Sequence, residues 1–463
     1  MSKSSSSPVF SVKRQGPELV TPAKPTPRES IYVSDIDGQQ SLLFQIPFIM
    51  FYPARNPPMK GKDPVMVIKD ALSKALVCYY PFAGRIREGP NQKLFVDCTG
   101  EGVLFIEADA DITLDQLGHA ILPPFPCIEE LLFDVSGSSN IVGCPLLLIQ
   151  VTRLICGGFI FAVRLNHVMA DSLGLVQFFK AIAEIAKGAD KPSLPPVWKR
   201  EIFTGRNPPN VTCPHPAYDK VTHTTAGLEE INMESAENLV QRCFFFGPKE
   251  IRSIRSHLPP HLRASTSTFD VLTSCLWRSR TVALELNPHE TVRVSWVSNA
   301  RLNRALQVPA GYYGNAFTFI AAGSTAEHLC KNPLGYALEL VKKKKTQIIS
   351  EEYLRSFIDL MSIKERSKCD TSILNLVVVD ARAGFEEVDF GWGEAVYGGV
   401  TGNITFASIF SRARNSEGEE GIVVPIWLPP LVMERFEQEL QKMTHEAVDD
   451  SYSQKYKRIP SKM

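Results

Sequence analysis

The stretch FIFAVRLNHVMADSLG, residues 159–174, decides how the rest of the chain is read. Phe159, Phe161, Val163 and Leu165 alternate with Ile160, Ala162, Arg164 and Asn166, a mostly apolar period-two run that predicts a buried strand. The apolar pattern stops at His167. Asp171 or Ser172 can cap a following helix, in which Leu175, Phe179, Ile182 and Ala186 recur at helical spacing and Gly188 marks the end. A histidine at the end of a buried strand has a fixed backbone and a partly dry surround, and a general base needs both. On spacing alone, a His near an Asp is more often a plain hydrogen-bonded pair. The HxxxD spacing could also supply two metal ligands, but no third ligand stands nearby, and no metal is expected.

Upstream, the first 30 residues are rich in Pro and Ser and are expected to be extended. Asp63 caps a helix with Pro64 in its first position, an apolar face of Val65, Ile68, Leu72, Leu76 and Tyr79, and Pro81 as its stop. Short strands around Leu94–Val96 and Val103–Phe105 are expected to pair as a hairpin across Thr99–Gly102. The run Leu146–Val151 predicts a further strand. Downstream, Lys191 to Pro216 contains seven prolines and cannot be a regular element, so it is expected to link two halves. Beyond it, Ser267 and Asp270 resemble a capping box ahead of a helix with Phe269, Leu272 and Leu276. Strands are predicted at Val292–Trp296, Leu376–Val379 and Ile422–Trp427, and a late helix at Met433, Phe436 and Leu440. Helices and strands alternate on both sides of the crossover, which predicts a two-domain α/β protein. The expected division is an N-terminal lobe over 1–190, a crossover over 191–220 and a C-terminal lobe over 221–463, with part of 389–410 packing back in the N-terminal lobe.

Lys+Arg and Asp+Glu are both 50, and this zero balance argues against a general nucleic-acid or membrane-surface binder. No apolar run is long enough to span a bilayer, and the N-terminus lacks the apolar core of a signal peptide, so a soluble intracellular protein is expected. The ten cysteines include no CxxC pair and read as reduced, mostly buried small residues. Ser461-Lys462-Met463 resembles a peroxisomal address, which makes the peroxisome the expected compartment and the cytosol the alternative. Lys342 to Lys345 reads as a solvated helix face. DFG at Asp389 to Gly391 also occurs in protein kinases, but no HRD segment or Gly-rich loop precedes it. A GxSxG elbow and a Walker or dinucleotide fingerprint are missing as well.

Several segments together resemble the plant BAHD acyl-CoA-dependent acyltransferases over nearly the whole chain. His167-Val168-Met169-Ala170-Asp171 matches the family's HxxxD. Asp389-Phe390-Gly391-Trp392-Gly393 matches its DFGWG, about 220 residues later. YYPFAGR at 79–85, STFDVLTSCLWR at 267–278, and NAR with GYYGNA over 299–316 support them. The text is similar to the alcohol acyltransferases that make benzyl benzoate and related esters.

The resemblance implies a chloramphenicol-acetyltransferase-like fold, two lobes with a channel between them. Acyl-CoA and the acceptor alcohol enter from opposite faces and meet at His167, the general base. It implies that Asp171 points away from the substrates and pairs with Arg301, and that DFGWG is mainly structural, with Asp389 as a supporting residue and Gly391, Trp392 and Gly393 shaping a tight backbone path. Ser267, Thr268, Arg304 and Asn315 are the expected CoA contacts, with a helix cap as the plain reading of Ser267 and Thr268. No tightly bound cofactor is implied. The co-substrate is an acyl-CoA, expected to be benzoyl-CoA, the partner a small aromatic or aliphatic alcohol, and the state a monomer. Alternatives are acetyl-CoA or anthraniloyl-CoA with a small aliphatic alcohol, an amine acceptor, or a non-catalytic acyl-CoA-binding paralogue. Val378-Val379 stands where relatives usually carry Ser-Asp, and the stretch after DFGWG is shorter than usual. Both lie beside the expected channel and bear on substrate choice.

Overall fold

The computed structural model describes residues 10–54, 59, 61–118, 121–220, 231, 233–347, 350–363 and 369–445. The terminal Ser461-Lys462-Met463 lies outside the described residues.

Two large sheets organise the chain. The first is built on the strand Phe159–Asn166, which is antiparallel to Gln45–Tyr52 on one side and to Leu147–Leu154 on the other. Leu147–Leu154 runs parallel to Val103–Ala110, whose outer edge carries the short strands Val12–Arg14 and Glu18–Val20. Alternation along the central strand sorts its side chains between two cores. Phe159, Phe161, Val163 and Leu165 pack with the buried faces of helices Pro64–Cys78 and Ser172–Ala186. Ile160 and Ala162 pack on the opposite face with Ile49, Phe51, Leu148 and Tyr397. A strand buried on both faces reads as a nearly continuous apolar run, as this one does.

The second sheet has the order Val240–Phe246, Glu420–Leu428, Ala407–Arg414, Asn375–Asp380, Thr291–Asn299, Phe317–Thr325. Helices Thr268–Leu284, Leu334–Gln347 and Pro430–Thr444 contribute to a core of its own. Phe317, Phe319, Val377 and Ile409 instead join the first core. The chain also returns late to the first sheet: Tyr397–Val400 pairs antiparallel with Gln45–Tyr52, and Ala407–Arg414 is again in the second sheet.

The expected hairpin across Thr99–Gly102 does not form. Leu94–Asp97 pairs with Ser30–Tyr32 and Arg85–Glu88 in a separate three-stranded sheet, whereas Val103–Ala110 belongs to the first large sheet. The reason lies in where the connecting amides bond. The Cys98 N–H donates to the Glu29 carbonyl and the Gly102 N–H to the Ala83 carbonyl, so the turn is tied outward at both ends.

The Pro-rich crossover has 3₁₀ turns at Arg200–Phe203 and Pro216–Tyr218 and is laced to the helix Glu351–Ile363. The Asp359 carboxylate accepts the Arg206 and Asn210 amides, and Ser356 Oγ accepts those of Thr212 and Cys213.

Candidate active site

His167 is the first residue beyond the central strand. Its amide donates to the Phe44 carbonyl at 3.0 Å, and the Phe44 ring lies 5.4 Å from the imidazole. The turn is closed by the Met169 amide on the Asn166 carbonyl and by the Val168 amide on Asn166 Oδ1. His167 Nδ1 is buried with no hydrogen-bond partner, while the ring borders a cavity of about 590 Å³. Burial pushes the imidazole below its ordinary pKa, against the opposite pull of its own carbonyl, Asp171, Asp37 and Asn315. A neutral ring at pH 7 follows, the protonation state a general base requires.

Asp171 is not a hydrogen-bonding partner of that ring. Its Oδ1 accepts from the Gly174 amide, capping the helix, and from Arg301 Nη2, both at 3.0 Å. Its Oδ2 accepts from Arg301 Nη1 at 2.7 Å and from the Ala316 amide at 3.1 Å. All four acceptor positions of the carboxylate are occupied. Arg301 also donates to the Gly314 carbonyl at 2.6 Å. The helix starts close against the 311–316 segment, because a Cβ on Gly174 would stand 1.9 Å from the Tyr313 carbonyl oxygen.

A second acid–base pair lies beneath the turn and was not found from the sequence. Asp37, fully buried, accepts from Arg200 Nη1 at 2.8 and 2.9 Å, and Arg200 Nη2 donates to the Met169 carbonyl at 2.6 Å. The Arg200 guanidinium stacks 4.2 Å from the Trp198 ring.

The cavity draws its lining from both sheets. Ile46 comes from the first, with Phe44 just ahead of its strand Gln45–Tyr52, and Trp296, Phe317, Phe319, Val377, Val379 and Ile409 come from the second. Val379 faces the cavity and Val378 the second core, so one of the two positions that depart from the family pattern bears on the lining. The lining also carries Ser267, Lys345, Asp380 and Arg382. Lys345 donates to Asp270 at 2.8 Å, and Arg382 is bidentate on Asp380 at 2.7 and 2.6 Å. The lysine run is thus not uniformly a solvated face. Among the described residues, no three His, Cys, Asp or Glu side chains gather as metal ligands, and no helix is long and apolar enough to cross a membrane.

The Transferase family model matches residues 10–443. The chain is 56% identical over 447 residues to the benzyl alcohol O-benzoyltransferase of Petunia hybrida, covering 96% of this chain and 95% of that one. The chain belongs to the BAHD acyltransferase family. Its fold is that of vinorine synthase, with a TM-score of 0.71 at 22% identity, covering 94% of this chain and 99% of that one. It is likewise that of the F. sporotrichioides TRI101 structure complexed with coenzyme A and T-2, with a TM-score of 0.65 at 17% identity over 92% and 98% of the two chains. The protein is an acyltransferase of the two-lobed fold.

The BAHD residues named from the sequence separate in space. His167, Asp171, Arg301 and Asn315 come together. Ser267 caps its helix by accepting the Asp270 amide at 3.1 Å and also borders the cavity. Thr268 borders a different cavity of about 800 Å³, and Arg304 is exposed and lines neither. Asn315 is fully buried and its Nδ2 is taken up by Asp37 and the His167 carbonyl, so it is an internal brace and not a surface for CoA. The DFGWG loop lies at the other end of the central strand. Trp392 packs edge-on against Phe159 at 5.5 Å, and Phe390 lies 5.0 Å from Phe161. The eight residues of the strand put about 25 Å between Phe159 and the His167 turn. Asp389 Oδ1 accepts the Gly391 and Gly393 amides, each at 2.7 Å, at two residues with φ of +109° and +87°. The carboxylate closes its own loop, and the glycines supply the left-handed backbone that the closure needs. Asp389 thus lies a strand's length from the imidazole.

Proposed function

We propose that the protein transfers an acyl group from an acyl-CoA to a small alcohol, with benzoyl-CoA and benzyl alcohol as the substrate pair and benzyl benzoate and CoA as products. The observation that carries this reading is a strand-end imidazole with one nitrogen sealed in protein and its ring open to an apolar, aromatic cavity. The printed activity of the Petunia relative supports the substrate pair, and the coenzyme A in the TRI101 structure supports the donor class. In this reading His167 accepts the alcohol proton as the alcohol oxygen attacks the thioester carbonyl. The carbon–sulfur bond then breaks, and the imidazolium returns its proton to the CoA thiolate. General-base assistance of this kind contributes about 10²- to 10⁴-fold, and holding two substrates in one cavity can contribute more. The apolar lining strengthens every electrostatic interaction at the reacting carbonyl by excluding water.

The test is free-thiol release and ester formation from benzoyl-CoA and benzyl alcohol, run beside His167→Ala. Both products are expected from the wild type and neither above background from the variant. Equal rates in the two proteins would remove His167 from the mechanism. Competition with acetyl-CoA and anthraniloyl-CoA ranks the donors, and a preference for either over benzoyl-CoA would reject the benzoyl assignment.

A further inference from the structure

Among the described residues of the cavity wall, Leu173 and Leu302 are the large apolar side chains that stand exposed, at 42% and 74%. Each breaks its local pattern. The outward stripe of the helix Ser172–Ala186 is otherwise polar, with Gln177, Lys180 and Glu184 following Leu173 at helical spacing. Leu302 stands in a polar turn, between Arg301 and Asn303 with Arg304 beyond. The two leucines come from different halves of the chain. The Asp171–Arg301 fork, at 2.7 and 3.0 Å, ties together residues that precede them by two positions and by one. A single exposed leucine is ordinary surface, but two gathered at the opening of one cavity form a contact surface.

Both are displayed on fixed backbone. Behind Leu173, the Gly174 amide donates to Asp171 Oδ1. Around Leu302, the Ala300 amide donates to the Ala316 carbonyl at 2.8 Å, the Arg301 amide to Asn299 Oδ1 at 3.0 Å and the Asn303 amide to the Ala300 carbonyl at 3.1 Å. A side chain on rigid backbone loses little freedom when a ligand covers it.

Another part of the wall has different chemistry. Ser267, Lys345, Asp380 and Arg382 border the cavity there. Arg382 and the neighbouring Thr268 also border the second cavity, which residues 41–46, 171–173 and 299–302 do not reach. Lys345 is 46% exposed and spends one of its three ammonium donors on Asp270. Such a cation suits the phosphates of a CoA. Arg301 is only 18% exposed and its fork is closed on Asp171, so the wall beside the leucines offers apolar contact in place of charge.

We propose that Leu173 and Leu302 are specificity-determining residues that receive the tail of the acceptor, so that selection falls on uncharged alcohols with an apolar tail long enough to reach them. The inference rests on the reading of the protein as an acyl-CoA:alcohol acyltransferase. The hydroxyl is turned inward to His167, and the tail trails outward across the two leucines. Each methylene they cover favours binding by up to about fourfold. A carboxylate in the tail is refused, because it would lose water against two leucines with no cation to meet it.

The test compares straight-chain alcohols from ethanol to octan-1-ol, and 4-(hydroxymethyl)benzoate beside benzyl alcohol, with benzoyl-CoA as donor. In the wild type kcat/KM is expected to rise with chain length. Leu173→Ser and Leu302→Ser are each expected to lose at least about fivefold in kcat/KM for octan-1-ol, a loss that shrinks with the chain to about twofold or less for ethanol. KM for benzoyl-CoA should move by no more than about twofold. Leu302→Arg should gain at least about fivefold on 4-(hydroxymethyl)benzoate relative to benzyl alcohol, which misfolding cannot imitate. A missing gain, a loss of equal size for every alcohol, or a loss carried by KM for benzoyl-CoA would overturn the proposal. The affinity for octan-1-ol alone, without any CoA, is read by saturation-transfer NMR on the wild type and Leu302→Ser. Equal affinities would reject the contact. Weaker binding in the variant, from a protein that makes no ester, would defeat the functional reading and leave the leucine contact standing.

Discussion

Asp171 spends its four acceptor positions on a helix start, an arginine fork and one further amide, so its effect on the imidazole is exerted through backbone position. Asp171→Asn leaves Arg301 without its anion, with side chains that are only 13% and 18% exposed in the pair. A loss of about 2–4 kcal/mol in urea unfolding is expected, together with lower activity, and the double variant Asp171→Asn/Arg301→Met is expected to recover part of the stability. A second residue-scale expectation concerns His215 in the crossover. Its Nε2 meets Ser356 Oγ at 3.0 Å, and that oxygen already accepts two amides, so the hydroxyl hydrogen is left to donate to the ring. Burial pushes the His215 pKa down to about 4, against the opposite pull of Asp219. The unfolded chain takes up this proton near pH 6.5 and the folded one only near pH 4. Stability present above about pH 6.5 should therefore be lost as the pH falls through that window, by about 3 kcal/mol in full. Urea unfolding at pH 7 and pH 5 should show a smaller loss in His215→Gln than in the wild type. His167 stands where a strand pattern stops and Asp171 where a helix cap is needed, while the pairing of Asp171 with Arg301 came only with the family resemblance. Asp37 carried no such signal: its partner Arg200 is 163 positions away, and a lone Asp in a short loop has no period to break.

Secondary structure was legible wherever burial imposed a period. The central strand, the helices capped by Asp63, Asp171 and Ser267, and the later strands all fall where alternation or capping residues put them. The hairpin was misread because strand propensity says nothing about which sheet a strand joins, and the amides of the turn bond to segments far upstream. Lys345 was hidden for a related reason, since a run of four like side chains on a helix points in several directions and only one reaches the cavity. The start of the Ser172–Ala186 helix offers an element-scale test. A Cβ at Gly174 would stand 1.9 Å from a backbone oxygen, which cannot turn aside as a side chain can. Gly174→Ala should thus part the helix from the 313–316 segment, with a loss of at least about 2 kcal/mol in urea unfolding. The catalytic rate should fall with it, because that segment supplies the Ala316 amide to Asp171 and the Asn315 amide to the turn.

At the scale of the molecule, side chains from both sheets line one cavity. The first core continues across to Phe317, Phe319, Val377 and Ile409 of the second sheet, so neither half closes its apolar surface alone. A chain ending at residue 190 would also leave Gln45–Tyr52 as an open sheet edge, since Tyr397–Val400 normally covers it. Such a fragment is expected to aggregate when expressed by itself and to stay soluble when the remainder of the chain is co-expressed, as sedimentation of the lysate would show. The late return of Tyr397–Val400 means that covalent continuity through the crossover is not what keeps the halves together. A protease site engineered into the crossover and cut after folding should give two bands under denaturing electrophoresis and one unshifted peak on native gel filtration. Acyl transfer should survive the cut. The protein would then behave as a two-chain complementing enzyme, with the donated strand as its clasp.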